Sequence, residues 1–221
     1  MQLSCGNISD AKDRNSGCVD VWRWFEVARP MISEQGCLAD ARQCRSPNQG
    51  ERPADSEVSL LVIHNISLPP GQFGGGYIEQ FFTNALNADE HDYFAEIAEL
   101  QVSSHLLIDR QGEVVQFVPL GRRAWHAGDS SFAGCDNCND YSIGIELEGT
   151  DTAPYSDQQY QSLVQICRQL LAAYPALSAE RIVGHSDIAP GRKTDPGSAF
   201  DWPRFFAMLS QTESTQGSDE R

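Results

Sequence analysis

The run "VSLLVIHN", Val58 to Asn65, restricts this chain more than any other stretch. Leu60 to Ile63 are consecutively apolar and partly β-branched, with no alternation to separate a wet face from a dry one. A strand of this kind is covered on both faces, so other elements must pack on either side of the sheet that contains it. His64 and Asn65 close the run, and they are the first polar groups the strand delivers.

A second strand reads from "YSIGIELEG". On a pleated strand Ile143, Ile145 and Leu147 face one way, and Gly144, Glu146 and Glu148 the other. "VSSHLLID" and "EVVQFVPL" flank the turn "RQG", which is a hairpin pattern. A helix is expected from Asp157 to Tyr174, with apolar residues at Tyr160, Leu163, Val164, Cys167, Leu170, Leu171 and Tyr174. Ser156 is placed as its N-cap and Gln159 completes a capping box. Shorter helices are expected near Tyr77 and over "AFDWPRFFAML". Strands mixed with helices give an α/β (α+β) single domain, a mixed central β-sheet flanked by helices. Its limits are expected at 31–207, between an N-terminal extension over 1–30 and a C-terminal tail over 208–221 that is disordered by composition.

With 221 residues and 40% hydrophobic content the chain can bury a real core. The formal charge of −15 opposes a general role on nucleic acid or on anionic membranes, both of which need a basic face. Seven cysteines, an odd number, do not suggest a secreted disulfide framework. No apolar run approaches the roughly 18 residues of a membrane span, and the N-terminus lacks the basic-then-apolar pattern of a signal peptide. A cytoplasmic protein, monomeric and acting on a small ligand, is the expectation.

The chemistry-bearing residues concentrate in "GHSDIAPGRKTDPG", Gly184 to Gly197. Pro190, Gly191, Pro196 and Gly197 fix a backbone path without regular structure, and the loop presents His185, Asp187, Lys193 and Asp195. His64, His185 and Asp195 could form a three-ligand zinc site with an open fourth position. Two of them also have a plain structural reading: His64 as a core imidazole, Asp195 as a turn cap. Glu146, an acid in mid-strand among apolar neighbours, is either a paired structural charge or an acid/base tuned by desolvation. Glu148, nearer the strand end, reads as structural. Lys193, two residues before Asp195, is either a solvated lysine or a positive charge beside a developing oxyanion. Cys135 and Cys138 form a C-x-x-C with no partner pair nearby and read as incidental loop cysteines. His105, on the hairpin strand, reads as structural or groove-lining.

"LLVIHNISLPPGQFGG", "AWHAG", "CNDYSIGIELEGTDT" and "GHSDIAPGRKTDPG", four motifs spread from about Met31 to Phe206, together resemble the cytoplasmic N-acetylmuramoyl-L-alanine amidases that process anhydro-muropeptides in Gram-negative cell-wall recycling. The wider family, which includes peptidoglycan recognition proteins and phage amidase-type lysozymes, commonly carries a cysteine at the position of Asp195 and a tyrosine at that of Glu146. The resemblance implies the amidase/peptidoglycan-recognition fold and a Zn2+ ion held by His64, His185 and Asp195. It implies Glu146 as catalytic acid/base and Lys193 as transition-state stabiliser. Asn65 and the Trp125, His126 and Ala127 of "WHA" would line the groove for an anhydro-muropeptide. It also implies a functional start at Met31. The alternative within this family is a module that binds muropeptide without cutting it. Two positions depart from the family pattern: Gln101 and Asn137 stand where arginines are common. Arg110, Arg122, Arg123 and Arg192 are the candidates to hold the peptide's carboxylates instead.

Overall fold

The computed structural model describes residues 31–211. The expected extension over 1–30 and most of the expected tail lie outside the described residues. Ten strands appear in chain order: β1 Arg42–Gln43, β2 Gln49–Gly50, β3 Leu60–Ile66, β4 Leu106–Ile108, β5 Val114–Gln116, β6 Arg123–Ala124, β7 Ser131–Phe132, β8 Cys135–Asp136, β9 Ser142–Glu148 and β10 Ile182–Gly184. Five α-helices accompany them among the described residues: α1 Tyr77–Phe82, α2 Asp92–Ile97, α3 Asp157–Ala173, α4 His185–Ile188 and α5 Trp202–Ser210.

The main sheet has six strands in the order β1-β5-β4-β9-β3-β10. The β4–β5 hairpin is antiparallel and every other pairing is parallel, so the sheet is mixed, as the sequence indicated. β6 pairs with β2 and β7 with β8 in two small antiparallel ribbons.

The central strands β3 and β9 are buried on both faces. Leu61, Ile63, Ile143, Ile145 and Leu147 point into one cluster with Leu163, Val164, Cys167 and Leu170 of α3 and Phe205 of α5. Each such side chain contributes roughly 1.5–3 kcal/mol by leaving water. On the opposite face two smaller clusters share the cover. Leu107 and Val115 pack with Ile78, Phe81 and Phe82 of α1 and Phe94 and Ile97 of α2. Leu60 and Val62 pack with Ala127, Cys138 and Ile188.

α3 begins as its sequence predicts: the Ser156 hydroxyl accepts from the Gln159 amide and the Gln159 side chain accepts from the Ser156 amide. The Gln159 carboxamide also donates to the carbonyls of Ile108 and Glu148, at 3.2 and 2.9 Å. One side chain thereby starts the helix and pins it to the carboxyl ends of β4 and β9. α5 continues to Ser210, three residues past the expected domain limit of 207, because its N-cap at Asp201 and the buried Phe205 carry a nine-residue helix.

Candidate active site

Strand register builds the first half of the site. In the parallel β3–β9 pair His64 stands opposite Glu146, so both side chains leave the same face of the sheet. β10 pairs with β3 through Gly184 and Ile63, which sets His185, the next residue, beside His64. The sequence reads Gly184–Gly197 as irregular loop throughout. The structure instead opens it with one helical turn, α4, because the Asp187 carboxylate accepts from the Gly184 amide at 2.7 Å. The loop then folds back: Ser186 N–H donates to the Asp195 carbonyl at 3.0 Å. Two glycines permit this path. A Cβ on Gly184 would lie 2.8 Å from Pro196, and one on Gly197, where φ is +78°, would lie 2.1 Å from the Asp151 backbone.

The result is a triangle of donor atoms. His64 Nδ1 and His185 Nδ1 are 2.9 Å apart, and each is 3.0 Å from Asp195 Oδ2. The three residues could hold a metal ion. The hydrogen positions favour it. His185 Nε2 is 3.0 Å from the Ala127 carbonyl, which only accepts, so Nε2 carries a hydrogen and Nδ1 is the ring nitrogen left to face the triangle. Burial lowers the His64 pKa to about 4, against an opposing hydrogen bond from Asp195, so its imidazole is neutral at pH 7. Burial pushes the Asp195 carboxyl up, but the ring nitrogens of His185 and His64 outweigh it and hold the group below its usual range. Two imidazole nitrogens and a carboxylate oxygen that close together suit a cation between them.

Glu146 lies beside the triangle, 8% exposed. Burial first, and the charge of Asp195 second, raise its pKa well above the ordinary carboxyl value, while Lys193 opposes them. Its Oε2 is buried and has no protein partner, so one carboxyl oxygen remains available to a water or substrate atom. Glu148 is different in kind: Oε1 accepts from the Gly74 amide at 2.5 Å and Oε2 from the Arg110 amide at 3.3 Å. It holds the glycine-rich loop after β3, the structural role its strand-end position suggests.

A cavity of about 690 Å³ opens over these groups. His64, Glu146, His185, Lys193 and Asp195 line it, as do Asn65, Trp125, His126 and Ala127. All nine site residues named from the sequence are therefore brought together. Their attachments differ. The Asn65 carboxamide donates to Asp151 at 2.8 Å. Ala127 contributes its carbonyl to His185, as above. His126 has both ring nitrogens engaged by protein, Nδ1 at 2.9 Å from His64 Nε2 and Nε2 at 3.1 Å from Ser142 Oγ, so toward the groove it offers only ring surface. Burial drives its pKa well below the ordinary imidazole value, with the charges of His64 and His105 acting the same way, and it is neutral. His105 is fully buried, accepts from the Gly144 amide at 3.0 Å and donates to the Arg122 carbonyl at 3.0 Å. Its structural reading stands.

Sequence reasoning missed two residues that hold this arrangement. Asn139, in "CND", accepts from the amides of both His126 and Ala127, at 3.0 and 2.8 Å. Ser142 reaches His126. Neither residue type at a strand entry signals such a role in sequence. Of the four candidate arginines, Arg192 lines the cavity. One of its amino groups donates to the carbonyls of Ala127 and Asp129, both at 2.6 Å. Arg110 is committed to the Glu148 and Pro154 carbonyls, Arg122 to Glu51, and Arg123 to Asp140. Gln101 lines the cavity. Asn137 sits in a left-handed turn with φ of 57°, a conformation asparagine adopts more readily than arginine.

A metal-competent triad with a buried acid in an open cleft at the carboxyl ends of parallel strands is the site of a hydrolase. Residues 54–198 match the N-acetylmuramoyl-L-alanine amidase family, and the chain belongs to that family. It is 56% identical over 186 residues to the 1,6-anhydro-N-acetylmuramyl-L-alanine amidase AmpD of Enterobacter cloacae, covering 84% of this chain and 99% of that protein. It superposes on the crystal structure of a selenomethionine derivative of AmpD with a TM-score of 0.79 at 55% identity, covering 81% of this chain and 100% of that one. A more distant likeness is to the amidase AmiD of Escherichia coli, solved in complex with the substrate anhydro-N-acetylmuramic acid-L-Ala-D-γ-Glu-L-Lys. There the TM-score is 0.51 and the identity 29%, over 80% of this chain and 65% of that one.

Proposed function

We propose that this amidase is zinc-dependent and cleaves the amide between 1,6-anhydro-N-acetylmuramic acid and L-alanine in muropeptides, in the cytoplasmic recycling of peptidoglycan. The donor triangle is the observation that carries the reading. Tetrahedral zinc with bonds of about 2.0 Å spaces its ligands roughly 3.3 Å apart, close to the 2.9–3.0 Å separations of His64, His185 and Asp195. The AmpD relatives, matched over nearly their whole length, support the choice of substrate, as does the substrate held by AmiD.

Zinc bound by His64, His185 and Asp195 would supply Lewis-acid polarisation and a readily ionised water. The chain's own residues do the rest. Glu146 takes the proton of the attacking water. A carboxyl lifted by burial exchanges its proton nearer neutral pH, so the same group then delivers that proton to the departing alanine nitrogen. Lys193, exposed at the mouth of the cavity, places its ammonium where the carbonyl oxygen gains charge. Trp125 and the ring of His126 form the wall against which the sugar lies. Arg192, held by two carbonyls, is the arginine placed to meet a peptide carboxylate.

The test is to incubate zinc-loaded protein with anhydro-muramyl-tripeptide and, separately, with intact sacculi, and to identify products by mass spectrometry. Release of anhydro-N-acetylmuramic acid and free tripeptide is expected, with little attack on sacculi. Tight binding of the muropeptide without cleavage would instead show a recognition module.

A further inference from the structure

The Cys138 carbonyl fixes the direction of a hydrogen-bond chain that ends at His64. A carbonyl only accepts. The Ser142 hydroxyl is 2.5 Å from it, so the single hydroxyl hydrogen points there. Ser142 Oγ therefore meets His126 Nε2 as an acceptor, at 3.1 Å, and Nε2 carries a hydrogen. In the neutral ring Nδ1 is then bare. It lies 2.9 Å from His64 Nε2, so that nitrogen carries the next hydrogen. His64 Nδ1 is left with its lone pair facing His185 and Asp195.

We propose that His126 and Ser142 form a positioning relay, Cys138 carbonyl to Ser142 to His126 to His64, that fixes the tautomer and ring orientation His64 needs as a metal donor. The inference rests on the metal-site reading given under Proposed function and assigns two residues to it. A ligating imidazole ordinarily gives its second N–H directly to a carboxylate, carbonyl or water. His185 does so through Ala127. His64 reaches its carbonyl only through two intervening side chains, and the fold makes room for them. A Cβ on Gly144 would lie 2.5 Å from Cγ and Nδ1 of the His126 ring, so that position on β9 admits no side chain. The amide of His126 is tied to Asn139 at 3.0 Å, which sets where the ring begins. His126 also meets His64 edge-on, with centroids 5.0 Å apart and planes at 85°. That orientation directs ring nitrogen to ring nitrogen.

Two measurements test the relay. The first is nitrogen-15 NMR of the metal-free protein at neutral pH. The His126 ring is expected with hydrogen on Nε2 and none on Nδ1; the opposite tautomer overturns the inference. The second is zinc affinity by chelator competition in His126→Leu and His126→Asn. Leucine fills the space without accepting a hydrogen bond, and should weaken zinc by about 10- to 100-fold, the usual effect of removing a partner of a metal ligand. Asparagine places its carbonyl oxygen near the position of Nδ1 and should recover most of the affinity. Equal loss in both variants would reduce His126 to packing, and no loss in either would remove it from the site; each result overturns the relay. Should the wild-type protein bind no zinc, the functional reading fails, and the NMR result alone decides the relay.

Discussion

His64 and Glu146 are register partners on the adjacent parallel strands β3 and β9, so one strand supplies the candidate metal donor and its neighbour, at the same level, the candidate acid. Their separation is set by the spacing of a sheet and not by a loop. Two of the roles proposed here therefore share one rigid support.

Substitution of His64 removes one vertex of the donor triangle while leaving the buried strand otherwise apolar. His64→Ala should lose most of the zinc that elemental analysis finds in the wild-type protein. Full retention of zinc would place the metal elsewhere.

Glu146→Gln keeps the size of the side chain and removes none of the donor atoms of the triangle. Its turnover should fall by about 10²-fold or more, the usual scale for a general acid/base, with zinc content unchanged. Glu148→Gln should instead show its effect in the glycine-rich loop, through the Gly74 amide it holds. Steady-state kinetics on both variants separates the two acids: an inactive Glu148 variant beside an active Glu146 variant would reverse the assignment.

Lys193 should act on the transition state. Charge grows on the carbonyl oxygen only as water attacks, so a group aimed there lowers the barrier without tightening the ground state. Lys193→Ala should lower kcat by about 10²- to 10³-fold, with KM and zinc content little changed. Lys193→Arg should recover part of the rate, since a planar guanidinium places its charge differently from an ammonium. A normal kcat with a raised KM would make Lys193 a binding group for a substrate carboxylate.

Burial lowers the pKa of His105 from 6.5 to about 3, and the nearby Arg52 charge acts in the same direction. The folded state thus resists a proton that the unfolded chain accepts. The associated stability is complete above about pH 6.5 and is lost as the pH falls toward about 3. His64, also lowered by burial, adds to the same acid limb. Urea midpoints of the metal-free protein should fall steadily between pH 7 and pH 4. His105→Gln, weaker at pH 7, should show a shallower decline, and parallel declines in the two proteins would contradict this account.

Gly144→Ala should damage the site more than its position on a central strand implies, because the added methyl meets the His126 ring. Overpacking of this kind typically costs about 1–3 kcal/mol. Thermal melting should register that loss, and chelator competition should show weaker zinc. A wild-type melt with wild-type zinc affinity would mean that the ring moves aside freely.

The apolar run at β3, the alternation of β9 and the capping box at Ser156 were legible because each is a local pattern answering to a local rule. Glu148 was separable from Glu146 by its place at the strand end. The relay was not legible. His64 and Ser142 come within reach of one His126 ring only because β9 lies beside β3, and sequence spacing carries no information about which nitrogen of a ring holds its hydrogen. The helical turn of α4 was hidden for a related reason: His-Ser-Asp-Ile, followed closely by proline and glycine, has weak helical preference, and the turn depends on Asp187 reaching back to Gly184. The choice among four arginines likewise turned on partners distant in sequence, such as the Glu51 that engages Arg122.

The position of β10 at the far side of β3 imposes an order on biosynthesis. A chain that has left the ribosome only as far as β9 already possesses His64 and Glu146, yet it lacks His185 and Asp195, which arrive with and after β10. Until β10 docks in parallel on β3, a long-range pairing of the slow kind, the nascent polypeptide has Glu146 and only one of the three donors of the triangle. On the proposed reading, metal capture would thereby wait for β10, and a product truncated after β9 would lack two of the three donors.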